Sequence, residues 1–449
     1  MDFLNTIYKE LDYESGALYD VSGGSGKNLS VEEYINIGEW LKLADYIEAE
    51  KVFFINNNPV IVFAKGDSND ISSKIAKFNK IWCMARPRLL FFATPGELTI
   101  YDLAQPPVRK DDKQHKLLYL DMLLLQDIGR VSDKLQKYHR ENIESGRLFG
   151  DKRFGDISNR ADKALIRDLK CVRSELIATG LDGKNVRYAH ALIGRSIFIR
   201  YLEDRNVLTD KYFNEVGKGD KELENLLPDQ SESACLDFSE NKSLYLLALN
   251  NKNFTYALFK KLSQDFNGDI FPNVDDEESV IEQKHLDRIK ELLLGDTGPQ
   301  MKLFFFAYKF DVIPIDLISC IYEEFYHSPD TIKEESKARR EGAFYTPPIL
   351  AEFVLSKILT PNSLKKEPRV LDPACGSGIF LVEAFRRIVR YKTYKKGRSL
   401  TFSELKAILR HNIHGIEVNT EAANITSFSI YLSMLHYLEP PDILKQLER

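Results

Sequence analysis

The chain has 449 residues, of which 29% are charged and 43% hydrophobic, with a formal net charge of −5. That balance excludes disordered, collagen-like and mucin-like classes, and the length suits roughly three domains of about 150 residues each. The five Cys stand at 83, 171, 235, 320 and 375, far apart and with no CxxC pair. A zinc ribbon or disulfide framework is therefore not expected, and a reducing cytoplasm fits.

Met1-Asp-Phe-Leu-Asn5 has no basic n-region and no long apolar core, so no signal peptide is expected. No run of about 18 apolar residues occurs, which argues against a membrane span. Charge is unevenly spread. Residues 361–410 hold 12 Lys/Arg against 4 Asp/Glu, and residues 261–300 hold 4 against 10.

Val21-Ser-Gly-Gly-Ser-Gly-Lys27 lacks the spacing of a phosphate loop and reads as a linker. Val52–Ile55 and Pro59–Ala64 flank Asn56-Asn-Asn58, a hairpin signal, and Leu89–Ala93 and Leu98–Tyr101 flank Thr94-Pro-Gly-Glu97, a second one. Helical spacing over Ile71–Met84 lies between them. Residues 1–112 thus read as an α/β domain. Its layout invites comparison with restriction nucleases, which place Glu-x-Lys on a strand to hold Mg²⁺. Here Phe63 stands where the acid belongs, two residues before Lys65. A hard cation loses an oxygen ligand there. The unit is either a degenerate nuclease-like scaffold or an unrelated α/β fold.

Residues 113–335 read as a helical connector. Helices are expected over Leu117–Ser145, Leu165–Gly180, Ala189–Asn206, Leu244–Asp265, Val280–Leu294 and Ile313–Tyr326, with a turn at Phe266–Pro272. Gly180 suits a C-cap. The charges of Arg200-Tyr-Leu-Glu-Asp-Arg205 read as a solvated or inter-helix face.

The informative stretch begins at Gly342-Ala-Phe-Tyr-Thr-Pro-Pro348. Its two prolines fix an extended-to-helix turn before a helix over Ile349–Leu359. A short buried strand ending at Val370-Leu371 follows, then the small-residue loop Asp372-Pro-Ala-Cys-Gly-Ser-Gly378, then a helix over Ile379–Tyr391. Strand, glycine loop and helix form the ligand-binding edge of a doubly wound sheet. Gly376 and Gly378 let a ligand approach backbone. The loop is neither G-x-G-x-x-G nor a P-loop. An acid at the strand's end, Asp372, disfavours pyrophosphate and favours a cationic ligand; S-adenosylmethionine carries a sulfonium and an ammonium. A second strand, Ile413–Asn419, carries Glu417 near its C-terminal end, where an acid accepts ribose hydroxyls. A helix over Thr420–Leu435 follows.

These residues resemble those of one family. Asp372–Gly378 is similar to motif I of class I S-adenosylmethionine-dependent DNA methyltransferases, in particular the adenine-N6 enzymes of bacterial restriction–modification systems. Gly342–Pro348 resembles their motif X, and Gly415-Ile-Glu-Val-Asn419 their motif II. The order X, I, II is that of the N6-adenine group. Ile81-Trp82, Arg88–Tyr101, Tyr201–Arg205 and Asn267–Phe271 are similar, less sharply, to the N-terminal and helical regions of large fused methylases.

The resemblance implies a multidomain chain, with residues 336–449 the start of a Rossmann-like α/β methyltransferase domain. It implies S-adenosylmethionine as cofactor and double-stranded DNA as partner. Asp372, Gly376 and Gly378 would line the methionine end, with Ala374 and Cys375 contributing backbone and Phe380 nearby. Phe344, Tyr345 and Thr346 would close over the cofactor, and Glu417 would hold the ribose. Cys375 reads as a packing residue, since nothing near it in sequence offers a base.

The family's Asn/Asp-Pro-Pro-Tyr/Phe motif, which holds the flipped adenine's amino group, has no match: Asn56-Asn-Asn-Pro59 and Leu438-Glu-Pro-Pro-Asp442 both fail. No catalytic residue is therefore assigned. The chain is expected to be inactive alone and to need a further polypeptide that completes the catalytic and target-recognition regions. Two alternatives stand beside this reading: a DNA- or partner-binding module with a partial cofactor site, and a methyltransferase acting on RNA or protein. Arg386–Arg398 reads either as a phosphate-contacting stretch or as a solvated helix face.

Overall fold

The computed structural model describes residues 3–21, 29–67, 70–109, 116–216, 218, 243–266, 274–294, 307–314, 317 and 346–447. The Gly/Ser tract at 22–27, the turn at 267–272, most of the helix expected over Ile313–Tyr326, and Phe344 and Tyr345 lie outside the described residues. Two compact units form, one from Met1–Leu165 with Ala307–Ile313, the other from Ile166–Phe306 with Pro314–Arg449.

The first unit is built on a six-stranded sheet whose strands β1 (Leu18–Asp20), β2 (Ala49–Ile55), β3 (Asn58–Lys65), β4 (Leu89–Ala93), β5 (Glu97–Asp102) and β6 (Asp121–Leu124) lie in sequence order. Every neighbouring pair is antiparallel except β3 and β4. A parallel pair needs a crossover, and α3 (Ile71–Trp82) supplies it. Two further helices, α1 (Phe3–Glu10) and α2 (Val31–Tyr46), precede β2 in the chain. Both sequence-read hairpins form. The first turns on Asn56 (φ 49°) and Asn57 (φ 66°), the left-handed pair that a two-residue hairpin requires and that Asn tolerates.

Aromatic residues fill one face of this sheet. Phe63 and Phe91 are register partners with ring centroids 5.1 Å apart, and Tyr8 and Tyr13 meet Phe63 at 5.0 and 5.4 Å. Position 63 thus belongs to the core, and Lys65 pairs with Glu50 at 3.0 Å.

The helix expected over Leu117–Ser145 is corrected. Its start is β6, paired with β5, and short helical turns follow, among them Leu125–Arg130, Val131–Lys134 and Arg140–Glu144. Leu117–Leu125 is apolar apart from Asp121 and carries no clear period, and the open edge of β5 captured it. The sheet therefore continues past residue 112.

The second unit contains α4 (Ala161–Ala178, its first residues in the other unit), α5 (Val186–Asp204), α6 (Lys252–Asp265), α7 (Val274–Val280) and α8 (Gln283–Leu294). The helix expected over Leu244–Asp265 is two, Leu244–Ala248 and α6, with Asn251 capping the second. After α4, Gly180 (φ 112°) receives the chain in a Schellman arrangement: Leu181 N–H donates to Leu176 O and Gly180 N–H to Ile177 O.

Buried on all sides, α5 carries a charge network through the helical layer. The Arg195 guanidinium donates to Glu277, whose other oxygen accepts from Tyr256 OH at 3.1 Å. Arg200–Arg205 is an inter-helix device. Arg200 bridges Glu203 and Asp204, and Glu203 accepts from Ser243 Oγ and the Tyr245 N–H.

The remaining elements are α9 (Pro348–Ile358), β7 (Val370–Asp372), α10 (Ile379–Lys396), α11 (Phe402–Asn412), β8 (Ile413–Gly415) and α12 (Thr420–His436). Strands β7 and β8 pair in parallel, with Val370, Leu371 and Asp372 opposite Ile413, His414 and Gly415. Helix α10 packs against both strands, α9 and α12. Arg205 donates to the carbonyls of Leu435 and Leu438 (2.7 and 2.6 Å) and so closes the C-terminal end of α12, while Phe198 of α5 meets Phe428 at 5.8 Å. Among the described residues, no helix is long and apolar enough to cross a membrane.

Five of the seven cations in the block from Arg386 to Arg398 meet two carboxylates, which leaves the block net positive. Arg386, Arg387 and Arg390 converge on the buried carboxylate of Glu383, and Lys396 and Arg398 on Glu404. Neither the phosphate-contacting nor the solvated reading describes the three arginines.

Glu404 also closes a capping box with Thr401 at the start of α11. Arg398 first, then Lys396 and the Thr401 N–H, hold its carboxyl well below the usual range. A depressed carboxyl adds stability above its unfolded pKa of about 4.5, and that stability is lost as pH falls through the lower folded value. Glu404→Gln is expected to cost about 0.5–1 kcal/mol at neutral pH, the pair being solvent-screened. The melting difference between the two proteins, followed from pH 7 downward, should close in acid. A difference that stays constant with pH would contradict this.

Candidate functional site

At the C-terminal end of β7 the chain leaves the sheet through Asp372, whose Oδ1 accepts the Ala374 N–H at 3.1 Å. This local turn starts the loop, and the Gly378 N–H, donating to Cys375 O at 2.8 Å, closes it before α10 begins. Gly378 has φ 85°, and a Cβ there would lie 2.7 Å from Thr426 Cγ2. Gly376 has φ 55°, and a Cβ there would meet nothing within 4 Å. One glycine is required by packing and by backbone. The other is required by backbone alone and faces open space.

The adjoining strand holds the loop in place. The expected strand Ile413–Asn419 is corrected: pairing ends at Gly415, and the chain bends onto the loop. The Ile416 N–H donates to Asp372 O at 2.9 Å, and Ile416 O accepts the Cys375 N–H at 3.1 Å. A Cβ at Gly415 would lie 3.0 Å from Cys375 Sγ and 2.6 Å from Leu381 Cδ1, so a side chain there would require both neighbours to shift. Asn419 caps α12 through the Ala422 N–H.

Glu417 lies on the connection between β8 and α12. One oxygen accepts the Gly376 N–H and the other the Asn419 N–H, each at 2.8 Å. Each oxygen keeps a lone pair, and the side chain is half-buried. Asp372 is also half-buried. Two carboxylates thus flank one small-residue loop at the C-terminal ends of two parallel strands, where α/β sheets bind ligands.

Cys375 is buried, and burial pushes its thiol up, against a smaller pull from Thr426. It remains a thiol at neutral pH and packs between the loop and β8.

Of the sequence-read residues, the structure brings Asp372, Ala374, Cys375, Gly376, Gly378 and Glu417 together. Phe380 is half-buried in the first turn of α10. Thr346 stands ahead of α9, the helix that packs on α10. Sequence reasoning missed Thr426, whose hydroxyl donates to Gly376 O at 2.6 Å. No motif marks it: it is one hydroxyl inside a helix.

This arrangement lies at the C-terminal ends of the two strands of a parallel α/β unit. Residues 314–442 match the family model of the N-6 DNA Methylase, which bears out the resemblance read from the motifs. The adenine-specific methyltransferase PglX of Streptomyces coelicolor is 29% identical over 111 residues, 24% of this chain and 9% of that protein. The adenine-specific methyltransferase BrxX of Escherichia coli is 32% identical over 106 residues, 23% of this chain and 8% of that protein. The match therefore spans under a tenth of these relatives' length. A cryo-EM structure of a DrdV–DNA complex aligns over 96% of this chain and 38% of its own, at 13% identity and a TM-score of 0.31.

Proposed function

We propose that the chain carries the S-adenosylmethionine-binding part of a DNA adenine-N6 methyltransferase of a restriction–modification or related defence system. The observation that carries this reading is the Asp372–Gly378 loop, held by Glu417 at the ends of two parallel strands, inside the segment that matches the N-6 DNA Methylase family. The residues fit the cofactor: open space lies where a Gly376 side chain would stand, and half-buried carboxylates flank the loop.

In this reading Asp372 and the loop backbone receive the methionine end, and the free lone pairs of Glu417 accept the ribose hydroxyls. By the motif resemblance, Phe344, Tyr345 and Thr346 would cover the bound molecule. The cofactor supplies the methyl group. The acceptor set for the adenine amino group is not assigned within residues 1–449, and double-stranded DNA is the substrate.

Ultraviolet cross-linking of methyl-labelled S-adenosylmethionine to the whole chain tests the assignment. Label is expected on peptides containing residues 372–380 or 417. Saturable labelling confined to other peptides would contradict it.

A further inference from the structure

We propose that Thr426 is a positioning residue for the cofactor loop, selecting the one orientation of the Gly376 backbone that the ligand meets. This rests on the reading of that loop as an S-adenosylmethionine site.

Gly376 joins two peptide planes, and each plane is held from outside the loop. The plane before it is held by Glu417, which accepts the Gly376 N–H at 2.8 Å. On that same plane Cys375 O accepts the Gly378 N–H at 2.8 Å. The plane after it is held by Thr426, whose hydroxyl donates to Gly376 O at 2.6 Å. Two fixed planes determine φ and ψ at the residue between them. That residue is a glycine at φ 55°, with open space on its Cβ side. Glycine has little intrinsic preference among its backbone basins, so the side chains make the choice.

The Thr426 hydroxyl is committed to this task. A helical threonine ordinarily turns its hydroxyl back to the carbonyl four residues earlier. Here it leaves its own helix for the loop. Its methyl group is equally engaged, because a Cβ at Gly378 would lie 2.7 Å from Thr426 Cγ2. The hydroxyl orients one glycine while the methyl packs on the other. Because a trans peptide points its N–H opposite its C=O, holding Gly376 O toward α12 aims the Ser377 N–H away from that helix. Thr426 is 6% exposed and sits in the second turn of α12, so it acts through the loop and not on the ligand.

Thr426→Val keeps the shape and removes the donor; Thr426→Ser keeps the donor and removes the methyl. Affinity of the whole chain for S-adenosylmethionine and for S-adenosylhomocysteine is measured by calorimetry, with melting temperature and deuterium uptake of the 372–381 peptide recorded without ligand. Thr426→Val is expected to bind both about tenfold more weakly and to exchange faster in that peptide, since a half-buried carbonyl has lost its donor. Thr426→Ser is expected to stay within about threefold in affinity, with wild-type exchange. Equal loss for both ligands marks an effect on the loop, because only one of them carries the sulfonium methyl.

Wild-type affinity in Thr426→Val would overturn the role and leave the site reading intact. So would equal loss in Thr426→Ser and Thr426→Val, which marks packing alone. If the unsubstituted chain binds neither ligand, the site reading and this role fall together.

Discussion

Glu417→Ala is expected to weaken S-adenosylmethionine binding by about 100-fold or more. Two hydroxyl hydrogen bonds to a carboxylate are at stake, each worth about 1.5–3 kcal/mol, and every 1.4 kcal/mol is about tenfold in affinity. The same substitution frees the Gly376 N–H and the Asn419 N–H, so the loop and the start of α12 loosen with it. Glu417→Gln keeps one acceptor oxygen and is expected to lose less. Calorimetric titration reads both variants, with circular dichroism to show that α12 persists. Equal binding by Glu417→Ala and the parent would remove Glu417 from the site.

The largest effect on stability is expected at the Arg195–Glu277 pair, whose side chains are 3% and 0% exposed. Replacing either alone leaves a charge buried without its partner, at a cost of about 3–5 kcal/mol. Glu277→Leu adds a second loss, because Tyr256 OH then has no acceptor there. The double variant Arg195→Met/Glu277→Leu is expected to recover much of the loss, since apolar packing often replaces a buried ion pair without penalty. Urea unfolding followed by helical circular dichroism decides it. Single variants within about 1 kcal/mol of wild type would show that the network adds little to the helical layer.

What the sequence made legible follows from how local each signal is. The hairpins were readable because Asn56-Asn57 and Thr94–Glu97 carry their own turn chemistry. The loop at 372–378 was readable because small residues between a strand and a helix have few other uses. Leu117–Leu125 was misread because an apolar run broken only by Asp121 fits helix and strand alike, and the choice was made by β5 from elsewhere in the chain.

The arginine cluster was within reach. Arg386, Arg387 and Arg390 follow Glu383 at spacings of three, four and seven, which places all four on one helix face. Thr426 was beyond reach: its role exists only because α12 lies against a loop some fifty residues earlier in the chain.

The most direct test of the central claim is calorimetric titration of the whole chain with S-adenosylmethionine, alongside ATP. The account predicts saturable binding of S-adenosylmethionine at one site per chain, which S-adenosylhomocysteine blocks and ATP does not. Heat of binding from ATP alone, or from neither ligand, would contradict it.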